Sequence, residues 1–299
     1  DMGERLMEKC EYGLDISGLT VDLGNFRLDN ITLKVPRGCI TGLIGRNGAG
    51  KTTLIKTIMR LNAACTGRIF YEGLYFPEHE EEVLNKIACV FDSPVYGKNA
   101  RPKQIVKYYR RAYKNFDEEK YNALMARFSL PHDLKLSRYS FGMNKKYCLI
   151  LALCQGADIL LLDEPTAGID PFDRSAVVEL IQEFMQSENH TVLFSTHITE
   201  DLDRIADYIA MIDGGKLKFM EEKEELLNSY RLVQVSAITD EVRAVAMGIK
   251  STPFGATFLC KAEDVPKCAS TKIPTVEELF VAFTEEGIAA APDGNPFGM

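Results

Sequence analysis

Apolar and polar positions alternate with the period of extended chain along residues 14–45. Ile31, Leu33 and Val35 alternate with polar neighbours, and Pro36-Arg37-Gly38 makes a turn. Residues 39–44 (CITGLI) form a short apolar run that suits a buried strand, and a glycine-rich loop follows. The period then changes. Leu54, Ile58 and Leu61 fall at i, i+4 and i+7, which predicts a helix with one apolar face. Residues 87–91 read as a strand after the acidic segment 78–82. Between 93 and 156 the pattern becomes helical. Pro102 opens one helix, and Asp117 caps another whose apolar face is Tyr121, Leu124, Met125 and Phe128, with Pro131 ending it. The α/β pattern resumes with a strand at 159–162, a helix after Pro171, a strand at 191–194, another helix and a strand at 208–212, then Gly214-Gly215 as a hairpin turn. After Tyr230 the pattern weakens. The expectation is an α/β domain over 1–230 with a helical insert over 93–156, and a small α+β appendage over 231–286 whose last helix lies near 276–283. The Gly/Pro-rich tail, 287–299, is expected to be disordered.

Composition narrows the classes. The chain has 299 residues, 46% apolar and 26% charged, which are globular values. A net charge of −8 argues against a globally basic nucleic-acid binder. The most apolar stretch, 147–162, is broken by Gln155, Gly156 and Asp158, so no membrane span is expected, and the first thirteen residues lack the apolar core of a signal peptide. The eight cysteines include no CxxC and no zinc spacing. They read as reduced, mostly buried residues of a cytosolic protein.

Two segments carry chemistry. Gly45-Arg46-Asn47-Gly48-Ala49-Gly50-Lys51-Thr52 fits GxxxxGK[ST], between an expected strand and an expected helix. Its glycines let backbone N–H groups converge on phosphate oxygens, at a helix N-terminus that adds positive potential. Lys51 supplies a charge to the β- and γ-phosphates, and the Thr52 hydroxyl is a ligand for Mg²⁺. Downstream, the apolar strand 159–162 ends in Asp163 and Glu164. Strand C-termini are where open α/β sheets bind ligands. Asp163 is placed to hold Mg²⁺, and Glu164 to polarise a water for attack on the γ-phosphate. His197, just after the strand at 191, is placed to contact the γ-phosphate or that water.

This order of motifs resembles the nucleotide-binding subunits of ABC transporters. Gly45–Thr52 looks like Walker A, 159–163 like Walker B, and Asp163-Glu164-Pro165-Thr166 with 167–171 like the DEPT segment and D-loop, Asp170 included. Ser195-Thr196-His197 looks like the switch-histidine segment, and Ser140-Phe141-Gly142-Met143 stands where the LSGGQ signature belongs. The resemblance covers 14–228. Tyr139 to Met143, residues 113–117 and His197-Ile198-Thr199 resemble a bacterial exporter subgroup whose permeases are separate chains, as does the appendage at 274–278. That subgroup is associated with export of antimicrobial peptides, lipids or similar amphiphiles. The resemblance implies a P-loop NTPase fold of the ABC ATPase type, with an antiparallel β subdomain, a helical subdomain and the appendage. It implies ATP bound by Gly45 through Thr53, with Asp163 and an aromatic stacked on adenine. Leu23 occupies the expected stacking place, and Phe26 is the nearest aromatic. It implies a dimer with a second ATPase subunit, identical or related, in which each ATP lies between one Walker A and the partner's signature. Ser140 and the Gly142 N–H would then meet the γ-phosphate in trans. Hydrolysis through Glu164 would drive an integral-membrane permease, with the chain peripheral on the inner face of the cell membrane.

Departures from the family pattern bear on this. The Q-loop glutamine, a Mg²⁺ neighbour, falls on Asp92, and the first signature glycine is Phe141. Two unit charges 4 Å apart interact by about 4 kcal/mol at a dielectric of 20. A carboxylate beside triphosphate therefore requires Mg²⁺ in place, or Asp92 turned away. From 93 to 115 there are seven basic residues and no acidic one, interleaved with Tyr108, Tyr109 and Tyr113. Nucleic acid, a solvated helix face, and a surface turned to the permease near an anionic leaflet all fit this composition. Two further readings differ in class: a soluble ABC-type ATPase acting on nucleic acid or ribosomes, and an ATP-binding regulator with little turnover. A single Walker A without coiled coil or zinc spacing argues against the first, and the retained Glu164 and His197 against the second.

Overall fold

The computed structural model of the chain describes residues 11–62, 65–93, 95–252, 255–266 and 269–285. Its strands are β1 (Tyr12–Asp22), β2 (Arg27–Pro36), β3 (Ile40–Ile44), β4 (Cys65–Tyr71), β5 (Leu74–Tyr75), β6 (Ile87–Val90), β7 (Ile159–Asp163), β8 (Thr191–Thr196), β9 (Tyr208–Asp213), β10 (Lys216–Glu222), β11 (Tyr230–Val235), β12 (Met247–Thr252), β13 (Gly255–Lys261) and β14 (Ser270–Lys272). Its α-helices are α1 (Lys51–Ile58), α2 (Glu80–Lys86), α3 (Pro102–Ala112), α4 (Glu118–Arg127), α5 (Phe141–Leu153), α6 (Pro171–Phe184), α7 (Thr199–Ile205), α8 (Lys223–Asn228), α9 (Asp240–Val245) and α10 (Val276–Glu285).

The first sheet is antiparallel, in the order β2-β1-β4-β5. In β1, Leu14 and Ile16 are buried, then Leu19 and Val21. The change of parity follows from a register shift between Ile16 and Leu19, where Gly18 takes φ 60°. One extra residue there keeps all four side chains on the buried face.

The second sheet runs β10-β9-β3-β8-β7-β6, with β3, β8, β7 and β6 mutually parallel. Every residue of β3, β7 and β8 is buried, so these strands read as continuous apolar runs rather than alternations. Register fixes what meets at their C-terminal ends. Ile44 lies opposite Thr196, and Asp163 opposite Ser195. The loop after β3, the carboxylates ending β7 and the histidine after β8 are thereby brought to one edge. The insert between β6 and β7 carries α3, α4 and α5, with Asp117 accepting from the Lys120 N–H at 2.8 Å as the N-cap of α4. At the Gly214-Gly215 turn both glycines have positive φ, as a two-residue hairpin needs.

Two sequence expectations shift. The first helix does not reach Leu61: α1 stops at Ile58, Arg60 turns left-handed at φ 58°, and Leu61 is 61% exposed. The helix opened by Asp117 ends at Arg127, before Pro131, where Ser129 takes φ 52°.

The chain forms two compact units, Asp1–Ile198 with Ala210–Lys218, and Thr199–Ile209 with Phe219–Met299. The division thus falls earlier than the expected 230/231 boundary, and α7 goes with the appendage. In that second unit an antiparallel sheet, β12-β13-β11-β14, has a core of Val233, Val242, Phe258 and Cys260. Helix α10 begins at a capping box, in which the Thr275 N–H donates to Glu278 Oε2 at 2.9 Å and the Glu278 N–H to Thr275 Oγ1 at 3.2 Å. The tail at 287–299, Cys10 and Cys268 lie outside the described residues.

Candidate functional site

The glycine-rich loop leaves β3 and feeds α1 directly. Gly50, the N-cap, has φ 115°, a conformation that side chains resist, and a Cβ there would lie 2.8 Å from both Leu28 Cδ2 and Phe26 Cζ. Only glycine lets the loop pass this close to Phe26. No side chain caps α1, so its first-turn N–H groups are left for a ligand.

A cavity of about 480 Å³ opens over this loop, lined by Arg46, Asn47, Gly48, Gly50, Lys51, Thr52 and Thr53. Its remaining walls are Leu23, Phe26, Asp92, Glu164, Ala167 and His197. Gly45 and Ala49, both buried, do not line it. Leu23 and Phe26 both reach the cavity, so the apolar wall has two candidates for stacking a base.

The charged groups are tied to one another. The buried Lys51 Nζ donates to the Gly45 carbonyl at 2.7 Å and lies 3.4 Å from Glu164 Oε1. Glu164 Oε2 meets His197 Nδ1 at 2.7 Å and accepts from the His197 N–H at 3.3 Å. Glu164 itself sits at φ 50°, in the left-handed region, with its N–H donating to the Ser195 carbonyl at 3.0 Å. The Thr52 and Ser195 hydroxyls both donate to Asp163 Oδ1, at 3.1 and 2.8 Å. The other oxygen, Asp163 Oδ2, is buried and has no hydrogen-bond partner among the described residues. A buried carboxylate oxygen left open beside a hydroxyl is the hard oxygen set that Mg²⁺ takes. Burial, and secondarily the Asp163 carboxylate, push the Cys89 thiol above its usual range.

Asp92 does line the cavity, and it neither faces away nor stands alone. Its Oδ1 accepts from Lys145 Nζ at 2.9 Å, and the same ammonium donates to the Glu164 carbonyl at 2.7 Å. Sequence reasoning missed Lys145, and it missed Ser195 as an Asp163 partner. The available signal for Lys145 was a pair of adjacent lysines, Lys145 and Lys146, in a helix whose later turns are apolar, five residues after Ser140.

The signature residues do not line this cavity. Ser140 caps α5, its Oγ accepting from the Met143 N–H at 3.1 Å. Phe141 is 49% exposed, whereas Gly142 is buried against Asp173. Asp170 caps α6, accepting from the N–H groups of Phe172 and Asp173 at 3.0 and 2.9 Å.

The chain is similar to known proteins. The family described as ABC transporter matches residues 28–167. The ABC transporter ATP-binding protein YtrB of Bacillus subtilis (strain 168) is 33% identical over 217 residues, 73% of this chain and 74% of that protein. The bacitracin transport ATP-binding protein BcrA of Bacillus licheniformis is 27% identical over 222 residues, 74% of this chain and 72% of that protein. Among solved structures, an ATP-binding subunit of an ABC transporter superposes with a TM-score of 0.64 at 25% identity, covering 71% of this chain and 91% of that one. With a Walker A loop, two carboxylates and a histidine at one sheet edge, the chain belongs to the ABC transporter family, as an ATP-binding and ATP-hydrolysing subunit of a transporter.

Proposed function

We propose that the chain is one half of an ATP-driven pair of ATPase subunits that works a separate integral-membrane permease. The observation that carries this is the meeting of Lys51, Thr52, Glu164 and His197 at one cavity, with the buried Asp163 bonded to Thr52, while Ser140, Phe141, Gly142 and Met143 do not line it. A signature that does not line its own chain's nucleotide cavity is free to serve a partner's. Ser140, Phe141, Gly142 and Met143 would close the partner's site at the N-terminus of α5, with Asp170 beside them.

Within the site, the residues divide the work. The loop N–H groups from Gly45 to Thr53 cradle the phosphates, and Phe26 or Leu23 covers the base. Lys51 exchanges its contacts to Gly45 and Glu164 for the β- and γ-phosphates. That frees one oxygen of Glu164, which accepts a proton from the attacking water. The water oxygen bonds to the γ-phosphorus as the bond to the bridging oxygen breaks, releasing ADP and phosphate. His197 holds the second Glu164 oxygen through its N–H and Nδ1. Thr52 and Asp163 would hold Mg²⁺, which neutralises phosphate charge when bound; we assign Asp92 to its lysine rather than to the ion.

The bacitracin transport of BcrA supports an amphiphilic cargo such as an antimicrobial peptide or lipid, moved outward. No helix among the described residues is long and apolar enough to cross a membrane, which fits a chain held at the inner face by its permease. The outward stripe of α3, with Lys103, Lys107 and Arg111 exposed, suits that side. The appendage, 231–286 by sequence, acts as a regulatory or interaction domain.

The test is the solution mass of the Glu164→Gln protein with and without ATP. We expect ATP to be held, turnover to fall by about a hundredfold or more, and the mass to double on ATP addition. Lys51→Ala should abolish both binding and the mass change. Parental turnover in Glu164→Gln would remove its role as base. A monomer with bound ATP would exclude a pair of identical chains.

A further inference from the structure

Lys145 stands on α5 among buried neighbours, its side chain 5% exposed. An ammonium so buried persists only when its donors are filled. Three groups fill them: Asp92 Oδ1 at 2.9 Å, the Glu164 carbonyl at 2.7 Å, and the face of the Phe141 ring, whose centroid is 5.5 Å away. Two of the residues that depart from the family pattern, Asp92 and Phe141, thus meet on one side chain. Phe141 also packs on Gly168, four residues beyond Glu164: a Cβ on Gly168 would lie 3.1 Å from its ring.

What this ammonium holds is the strained part of the site. Glu164 occupies φ 50°, which a non-glycine residue keeps only when its surroundings determine it. Its N–H is fixed from β8, by the Ser195 carbonyl at 3.0 Å and Ser195 Oγ at 3.3 Å. Its carbonyl accepts from Lys145 Nζ on α5 at 2.7 Å and, at the longer distance of 3.3 Å, from the Ala167 N–H. Without Lys145, the peptide plane after Glu164 keeps only the longer Ala167 contact, and the carboxylate is held less firmly.

We propose that Lys145 is a positioning residue for Glu164, holding its main chain in the hydrolytic conformation, and that Asp92 and Phe141 hold Lys145. This rests on Glu164 being the base. It makes Asp92 an anchor within the chain, with its charge spent on Lys145.

Lys145→Met keeps the apolar stem and removes the donor, and Asp92, 50% exposed, can then be hydrated. ATPase kinetics and equilibrium ATP binding on the full chain test it. We expect kcat to fall about ten- to a hundredfold, the range spanned by a charge-assisted hydrogen bond, with KM and ATP affinity within about twofold. Lys145→Arg should recover most of kcat, and Asp92→Asn with Lys145→Met should be no slower than Lys145→Met alone. If Lys145→Met does not fold, Asp92→Asn carries the test, with a smaller loss of about threefold or more confined to kcat. Parental kcat in Lys145→Met or Asp92→Asn, or a loss in KM alone, overturns the proposal. Glu164→Gln, measured beside them, separates the two readings. Turnover lost there but kept in Lys145→Met overturns the positioning role alone, whereas turnover kept in Glu164→Gln overturns both.

Discussion

Gly142 is required by its own chain, apart from any part it plays at a partner's nucleotide. A Cβ at this position would lie 2.9 Å from Asp173 Cγ and closer still to Oδ2. The Asp173 carboxylate has little freedom to withdraw, because Oδ1 holds Lys146 Nζ at 2.6 Å and the two side chains are only 15% and 9% exposed. Overpacking of this kind costs about 1–3 kcal/mol. Alanine in a helix returns up to about 1 kcal/mol relative to glycine, less in a first turn. Gly142→Ala should therefore destabilise the nucleotide-free chain by about 1–2 kcal/mol. Urea unfolding followed by circular dichroism measures this, since the chain has no tryptophan. The discriminating step repeats the substitution in an Asp173→Ala background. There the methyl has room, and the unpaired Lys146 is common to both members of the comparison, so its cost cancels. The sign should reverse, to a stabilisation of up to about 1 kcal/mol. An equal loss in both backgrounds would refute the steric reasoning. A reversal would mean that part of any activity lost in Gly142→Ala arises within one chain, before a dimer forms.

Two further predictions concern titration and burial. In the capping box of α10, burial raises the Glu278 carboxyl, but the bonds from Lys272 Nζ at 2.7 Å and the Thr275 N–H outweigh it and hold the group below its usual range. A depressed carboxylate stabilises above its unfolded pKa and loses that contribution as pH falls through the folded value. Glu278→Gln should thus cost about 1 kcal/mol at pH 7 and progressively less as the carboxyl is protonated, read from urea midpoints at neutral and at acid pH. An equal cost at both would assign the effect to packing. Burial pushes the Cys154 thiol up to about 12 and, with Asp264 adding to it, the Cys260 thiol to about 11. At pH 8 about one part in a thousand or less of either is thiolate, so iodoacetamide should label both only after unfolding, as peptide mass spectrometry would show. Fast labelling of the folded chain at either position would contradict the burial.

The legible parts of the fold are those where one local rule acts alone. The apolar runs at 39–44, 159–162 and 191–194 announce buried strands, and Pro102, Asp117 and Pro171 open helices by their own backbone chemistry. Where two rules compete, the pattern misleads. Leu61 keeps the helical spacing of Leu54 and Ile58, but the backbone reverses at Arg60 before reaching it. The seven residues of α7 are apolar on one face, and seven residues do not reveal which core that face joins; it is the appendage's. The appendage was the least readable in part because its edge strand β14 is three residues long and exposed on all three.

The site divides along the same line. A phosphate loop is legible because its function is written in consecutive residues, and Asp163-Glu164 because a strand end delivers both. Asp92 was legible only as a surplus charge, since its compensation comes from 53 positions further along the chain. Taken one position at a time, a carboxylate for a glutamine and a phenylalanine for a glycine both count against turnover, and together they suggested a weak regulator. Lys145 removes the basis for that sum. Its ammonium, in direct contact with Asp92, opposes the repulsion of about 4 kcal/mol that the carboxylate alone would impose on a phosphate 4 Å away. The Phe141 ring lies beside the same ammonium rather than across the nucleotide cavity. Asp92 and Phe141 are therefore one feature, a contact between α5 and the main chain of Glu164 made through Lys145, and they fit an ATPase whose proposed base is held from both sides.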